Sequence, residues 1–330
     1  MSFENNASVT GRLIYLAASV ESSLYRNGKV FTHRDRNGND DAYHGAVLES
    51  RDVLINDARC LEGSRRRQLE MHGLELLHRP LERPDLHFFD NRQLVQEYYP
   101  ECAEIVRRAT NAAQVFAFDH NIRRTLGNGI RRHIAGGQQV QNPIHFAHGD
   151  YTLASAPQRL RDLAKPPGMN DTLRSVLGDR RPLLGAEVVS RTLNEHARFA
   201  LINVWRNIDR SPVMADPLAL CDGQRLAPDD LVVFEIHYHD RIGENYFTKY
   251  SPNHEWWYYP HMTRDEVVLI KQWDSAGRLA RPSGAGATSS SSDADAPCTF
   301  SLHSAFKDPN TPAEAPDRQS IEVRCVAFFD

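Results

Sequence analysis

The chain has 330 residues, 41% of them hydrophobic, and 39 Lys and Arg against 43 Asp and Glu leave a net charge of −4. That length supports a sizeable core in one large domain or two, and the near balance of charge excludes the basic footprint of a nucleic-acid or anionic-membrane binder. Cys60, Cys102, Cys221, Cys298 and Cys325 are scattered, with no C-x-x-C pair, which excludes a disulfide framework and a cysteine zinc site.

No apolar run approaches the roughly 18 residues of a membrane span. The opening "MSFENNASVTGRLIY" lacks the basic-then-apolar order of a secretory leader. A cytoplasmic protein acting on a small molecule, with no membrane or nucleic-acid partner, is the expectation; nothing in the sequence reports its oligomeric state.

Taken in order, "DVLINDAR" (52–59) reads as a strand and "GSRRRQLEMHG" (63–73) as a helix with a solvated basic start, closed at Gly73. "LELLHRP" (74–80) reads as a strand. Residues 90–112 carry helical spacing interrupted at Pro100, and 113–124 open as another strand. "LGNGIRR" (126–132) lacks the third glycine of a dinucleotide loop and reads as a turn. A helix-like run, "TLASAPQRLRDL", follows "HFAHGDY".

From 199 the texture changes to short segments rich in β-branched and aromatic residues, separated by turn residues: 199–205, 217–222, 230–239, 244–250, 255–260, 266–274, 299–306 and 320–329. With 143–150 they make about nine strands, the pattern of a sandwich or barrel of jelly-roll type. The fold class expected is mainly β with flanking helices. Residues 1–112 form a mixed α/β part and 113–330 a jelly-roll core within a single domain. "RPSGAGATSSSSDADAP" (281–297) is too polar and small to order itself and reads as a mobile surface loop between two strands.

His148-x-Asp150 places an imidazole and a carboxylate two residues apart, on one face if the segment is extended. An open iron site takes two imidazoles and one carboxylate on one face of the metal, leaving the other face for cosubstrate and oxygen. The second histidine must come from a distant strand. Among 15 histidines, His237 and His239 stand two apart, and His120, His145, His254, His261 and His303 are further options. For any one of them an ordinary core or surface histidine is the better prior by roughly ten to one.

His303 rises above the others because Arg318-x-Ser320 follows it and opens the last strand. An arginine fork matches a carboxylate bidentately, and a hydroxyl two residues on faces the same way. Arg324 and Lys271 are alternative anchors, and Arg318 could be no more than a surface charge at a loop end. Asn203 and Trp205 share one face of their strand as a pocket floor or as packing, with Arg206 in the same block. Tyr151, Trp257 and Tyr259 are further pocket candidates, though within Trp256-Trp257-Tyr258-Tyr259 core packing explains any one ring equally well.

The runs "NVWRNIDRSPVMADPLALCDGQRL" (203–226), "HEWWYYPHMTRDEVVLIKQWDS" (254–275) and "HSAFKDPNTPAEAPDRQSIEVRCVAFF" (303–329), with "FAFDHNIRR" (116–124) and "HGDYTLASAPQRL" (148–160), resemble the AsaB/CmcJ-like hydroxylase/desaturase family, which includes the TqaL-type natural-product enzymes. The resemblance covers roughly residues 50 to 329. It implies a double-stranded β-helix (jelly roll, cupin-like) and dependence on Fe(II), 2-oxoglutarate and O2. It implies iron ligation by His148, Asp150 and His303, and a cosubstrate anchor at Arg318 with Ser320. Such enzymes couple decarboxylation of 2-oxoglutarate to hydroxylation, desaturation or ring closure of a small natural-product or amino-acid-derived substrate. The chain departs at the Ser-rich insert before His303 and at Leu302, where the family pattern leads one to expect proline.

Two rivals stand beside this reading. One is a cupin-type metalloenzyme independent of 2-oxoglutarate, with His237 and His239 as ligands. The other is a non-catalytic accessory subunit of a biosynthetic oxidation system.

Overall fold

The computed structural model describes residues 8–35, 40–125, 140–169, 171–239, 241–280 and 296–330. The turn expected at 126–132 and all but the last two residues of the 281–297 insert lie outside the described residues. Fourteen strands are described, in two sheets. The larger comprises β1 (Ser8–Leu16), β2 (Phe31–His33), β3 (Leu48–Asp57), β6 (His148–Gly149), β8 (Leu218–Cys221), β9 (Leu231–His237), β10 (Ile242–Thr248), β11 (Trp256–Tyr258) and β13 (His303–Ala305). The smaller comprises β4 (Leu74–His78), β5 (Gln114–Arg124), β7 (Phe199–Asn207), β12 (Glu266–Asp274) and β14 (Gln319–Phe328). Their orders are β1-β3-β11-β8-β13-β6-β10-β9-β2 and β4-β12-β7-β14-β5. The two sheets face each other as a double-stranded β-helix, the jelly roll read from the strand spacing.

The smaller sheet has two covered faces, which is why β7 is buried at all nine positions. Ala200, Ile202, Val204 and Arg206 turn outward, under the helix Tyr99–Thr110. There Arg206 donates to the Tyr98 hydroxyl at 2.8 Å, to the carbonyls of Arg79 and Arg264 at 2.7 Å each, and to Glu101 at 3.1 Å. Asn203 and Trp205 turn inward toward the larger sheet. Trp205, Val268 and Ile270 from the smaller sheet pack there with Leu220 and Trp257 from the larger and with Tyr259 just beyond β11. Alternation thus assigns the one block "NVWR" to two jobs.

Several expected elements are corrected. The stretch 63–73 is not one helix: a 3-10 turn Gly63–Arg65 precedes a single helical turn, Leu69–His72. The backbone at Arg66 and Gln68 is extended, which frees Arg67 to pair with Asp222 at 2.8 Å and to lie 4.2 Å over the Trp257 ring. Gly73 does close that turn, at φ 81°. The irregularity expected at Pro100 takes the form of a π-type turn, Leu94–Tyr98, which leads without a break into the helix Tyr99–Thr110 that Pro100 opens. The segment 143–150 forms a strand only at His148–Gly149. Upstream, the carbonyls of Ile144 and His145 accept single bonds from Ala305 and Ile14, so it bridges strands rather than joining a ladder. Finally β1, with Val9, Gly11, Leu13 and Tyr15 buried in alternation, is an unexpected strand of the N-terminal part and pairs with β3 along its whole length.

Candidate metal centre

His148 on β6 pairs directly with His303 on β13, since β13 lies between β6 and β8. That register sets the two imidazoles side by side, with ring centroids 4.3 Å apart. Asp150 follows two residues after His148 as the chain leaves β6, so its side chain returns to the same face. Its Oδ1 lies 3.7 Å from Nε2 of His148 and 3.9 Å from Nε2 of His303. One ligand atom from each of the three residues lies within 4.8 Å of the others, and no other such grouping of His, Cys, Asp and Glu occurs among the described residues. Leu302 is fully buried and its carbonyl accepts from Cys221 at 2.8 Å. The departure from proline there leaves His303 within the cluster.

The ligands are held from behind. Nδ1 of His148 lies 2.8 Å from the Phe146 carbonyl oxygen, which accepts its proton and leaves Nε2 bare toward the centre. Asn203 of the smaller sheet donates to Asp150 Oδ2 at 3.0 Å, and Arg324 donates to the same oxygen at 3.3 Å while pairing with Asp119 at 2.9 Å. Gln272 accepts from the Asp150 backbone N–H at 3.0 Å and reaches Nδ1 of His303 at 3.3 Å. It occupies a bulge in β12, where the register with β7 slips between Lys271 and Trp273.

Burial, more than any neighbour, lowers both imidazoles to about 4, so both are neutral ligands at neutral pH. Burial alone would raise the Asp150 carboxyl. The charge of Arg324 and the Asn203 hydrogen bond outweigh it and hold Asp150 well below the usual carboxylate range. The result is a charged carboxylate between two uncharged imidazoles, the donor set of an open Fe(II) site.

The other expected residues fall into different places. Arg318 is buried, its Nη1 donates to the Asp216 carbonyl, and its guanidinium lies 5.6 Å from the Trp205 ring. Burial, with Arg123 nearby, lowers it to about 10. Both Arg318 and Arg123 act on the His303 ring electrostatically. Ser320, also buried, sits on the same face of β14, opposite Asn207. Arg324 shares that face but is committed to Asp150 and Asp119, so it supports the Asp150 carboxylate. Lys271 projects to the other face of β12, where Asp274 at 2.9 Å and Glu70 at 3.3 Å neutralise it. Its assignment as an anchor is therefore corrected, because strand alternation aims it away from the centre.

Tyr151 is buried beside Arg159, Arg324 and Asp150, and burial raises its hydroxyl to about 12. Trp257 and Tyr259 join Trp205 in the apolar packing between the sheets. His237 sits two strands beyond β6, bonded to Glu235 at 2.9 Å and stacked on His33. Sequence reasoning missed Gln272, Arg123, Asp119 and Glu322. Their signal was a polar residue inside apolar "EVVLIKQWD", and the period-two runs Asp119-x-Asn121-x-Arg123 and Arg318-x-Ser320-x-Glu322-x-Arg324.

A family model described as an oxidoreductase/YMDC permease-like domain matches residues 13–328. An uncharacterized protein in the dcmA 3′ region of Methylophilus leisingeri is 46% identical over 204 residues, 62% of this chain and 93% of that one. The hydroxylase/desaturase efuI of Hormonema carpetanum is 27% identical over 313 residues, covering 87% of this chain and 88% of its own. Among solved structures, the iron and alpha-ketoglutarate-dependent endoperoxidase NvfI superposes with a TM-score of 0.70 at 23% identity, over 98% of each chain; at that identity the likeness speaks for the fold. Among the described residues no helix is long and apolar enough to cross a membrane. With a family match spanning nearly the whole length, the chain belongs to that oxidoreductase family, and its relatives include the hydroxylase/desaturase above and, at 30% identity over 54% of this chain and 60% of its own, an Fe(II)/2-oxoglutarate-dependent dioxygenase of Aspergillus novofumigatus.

Proposed function

We propose that this chain is an Fe(II)/2-oxoglutarate-dependent oxygenase that hydroxylates, desaturates or cyclises a small natural-product or amino-acid-derived substrate, working in the cytoplasm as one catalytic domain. In this reading Nε2 of His148, the Asp150 carboxylate and Nε2 of His303 hold iron. Arg318, assisted by Ser320, takes the distal carboxylate of 2-oxoglutarate. Bound iron, with 2-oxoglutarate and O2, supplies the oxidant that takes hydrogen from an unactivated C–H bond.

The observation that carries the reading is the convergence of three buried ligand atoms within 4.8 Å, two neutral and one charged. Unmet polar capacity near them supports it. Among the described residues Oδ1 of Asn203 and Nε of Arg318 are buried with no hydrogen-bond partner, as fits a site awaiting polar ligands. The protein's own residues do the positioning. Asn203 and Arg324 fix the Asp150 carboxylate, Phe146 fixes the His148 ring, and Trp205, Trp257, Tyr259, Val268 and Ile270 pack as one apolar cluster between the sheets.

The test is an anaerobic titration with Fe(II) followed by 2-oxoglutarate. A weak visible charge-transfer band, then one succinate per turnover once oxygen and substrate are added, is the expected result. Iron that binds without the band points to the 2-oxoglutarate-independent metalloenzyme instead, and a failure to bind iron at all points to an accessory subunit.

A further inference from the structure

The two histidines of the centre have second ring nitrogens facing chemically opposite partners. Nδ1 of His148 faces a carbonyl oxygen, which only accepts, so that nitrogen carries the proton. Nδ1 of His303 faces Gln272, whose orientation is decided by its other contact. The Asp150 backbone N–H is an obligatory donor 3.0 Å from Oε1, so the oxygen of the amide must lie there. That leaves Nε2 of the amide, which only donates, 3.3 Å from His303 Nδ1. Nδ1 of His303 must therefore accept, and the single proton of the neutral ring sits on Nε2, the atom that faces Asp150 at 3.9 Å.

We propose that Gln272 is a positioning residue that holds metal-free His303 in the tautomer opposite to the one that metal binding through Nε2 requires. Loading the site then removes the proton from Nε2 to water and takes one up from water at Nδ1, with no net change in protons on that ring. The new Nδ1–H meets the amide N–H of Gln272, and two donors cannot bond. Gln272 must give up its bond to either His303 or Asp150, so His303 is the weaker arm of the centre and His148 the preset one. Gln272 reaches both ligands because it lies two residues after Ile270 on the inward face of β12, at the bulge in the ladder with β7. The inference rests on the triad reading above and deepens it.

The test is long-range 1H–15N NMR of the imidazole nitrogens in the full chain, metal-free and then with Zn(II) as a diamagnetic probe. The His148 and His303 signals are assigned by single His→Asn variants. In the wild type the expected result is Nδ1–H for His148 in both states, and for His303 a change from Nε2–H to Nδ1–H on zinc binding. In Gln272→Glu both carboxylate oxygens accept, one from Asp150 and one from His303. His303 should then be Nδ1–H before metal is added, and zinc should bind at least about tenfold more tightly. A wild-type His303 already protonated at Nδ1 without metal overturns the proposal, and this needs no variant to fold. A Gln272→Glu protein with unchanged tautomer and affinity overturns it equally. Zinc that binds without moving the His303 signals refutes the triad itself, a different failure.

Discussion

His148 and His303 are 155 residues apart in the chain, yet they are direct cross-strand neighbours, with rings 4.3 Å apart on adjacent antiparallel strands. The pairing places both imidazoles at one height in the β-helix, and Asp150 needs only the two-residue period of an extended chain to join them. The centre is thus a property of sheet register. A slip of one residue in β13 would turn His303 to the other face.

Removing any ligand should therefore destroy the centre. His148→Ala, Asp150→Ala and His303→Ala are each expected to lower Fe(II) affinity by more than about a hundredfold, whereas His237→Ala and His239→Ala leave it within about threefold. Anaerobic equilibrium dialysis with metal analysis measures this, and full iron occupancy in His303→Ala would sink the assignment.

Asn203 acts through Asp150. Asn203→Leu takes one of two donors, Asn203 and Arg324, from Oδ2 of Asp150, and outer partners of metal ligands are worth about 10- to 100-fold in affinity. The expectation is a drop of that size in Fe(II) affinity with the fold retained, checked by circular dichroism beside the titration. An unchanged affinity shows that Arg324 alone suffices.

The anchor separates three cations. Charge-assisted hydrogen bonds contribute about 1.5–3 kcal/mol each, which at about 1.4 kcal/mol per decade predicts a tenfold to hundredfold loss of 2-oxoglutarate affinity in Arg318→Ala. Iron affinity should barely change. Lysine at 318 should restore part of it, lacking the planar fork. Lys271→Ala should leave 2-oxoglutarate affinity intact, and Arg324→Ala should act on iron binding first. Charge-transfer titrations of the four variants side by side decide the matter.

The pH profile follows from burial. His148 and His303 are lowered to about 4 in the fold, against about 6.5 in an unfolded chain. Between those values the unfolded chain binds more protons, so their contribution to stability is intact above about pH 6.5 and is lost as pH falls toward 4. For the same reason neither ring competes with metal for a proton at neutral pH. Fe(II) affinity is expected to stay level from pH 8 to about 6 and to fall below about 5. A titration centred near pH 6.5 would contradict the neutral, desolvated state of the rings.

Arg206, next to the inward-facing Trp205 yet turned to the opposite face of β7, is purely a structural tie. Arg206→Met strands Glu101 in a buried site and should cost about 3–5 kcal/mol in urea unfolding. The folded fraction should still bind Fe(II) with wild-type affinity, and a selective loss of metal binding would show that the outer face of β7 reaches the centre.

Much of this was readable in one dimension. Alternating β-branched and aromatic segments after residue 199 announce a jelly roll, because the two-residue period of a strand is written directly into residue choice. His148-x-Asp150 announces an imidazole and a carboxylate on one face for the same reason. What the chain alone left open was every relation across the fold: which histidine sits beside His148, which cations carboxylates hold, and what Gln272 touches. Register between distant strands decides the first. Strand alternation combined with the position of each sheet decides the second, committing Arg324 to Asp150 and Asp119 and turning Lys271 outward to Asp274. Packing of the sheets decides the third, since alternation puts Gln272, two residues after Ile270, on the inward face of β12, where it meets the Asp150 backbone N–H and the His303 ring. Local propensity acts over a few residues, whereas the centre is assembled from contacts over more than a hundred, and only packing two sheets face to face brings those residues to one point.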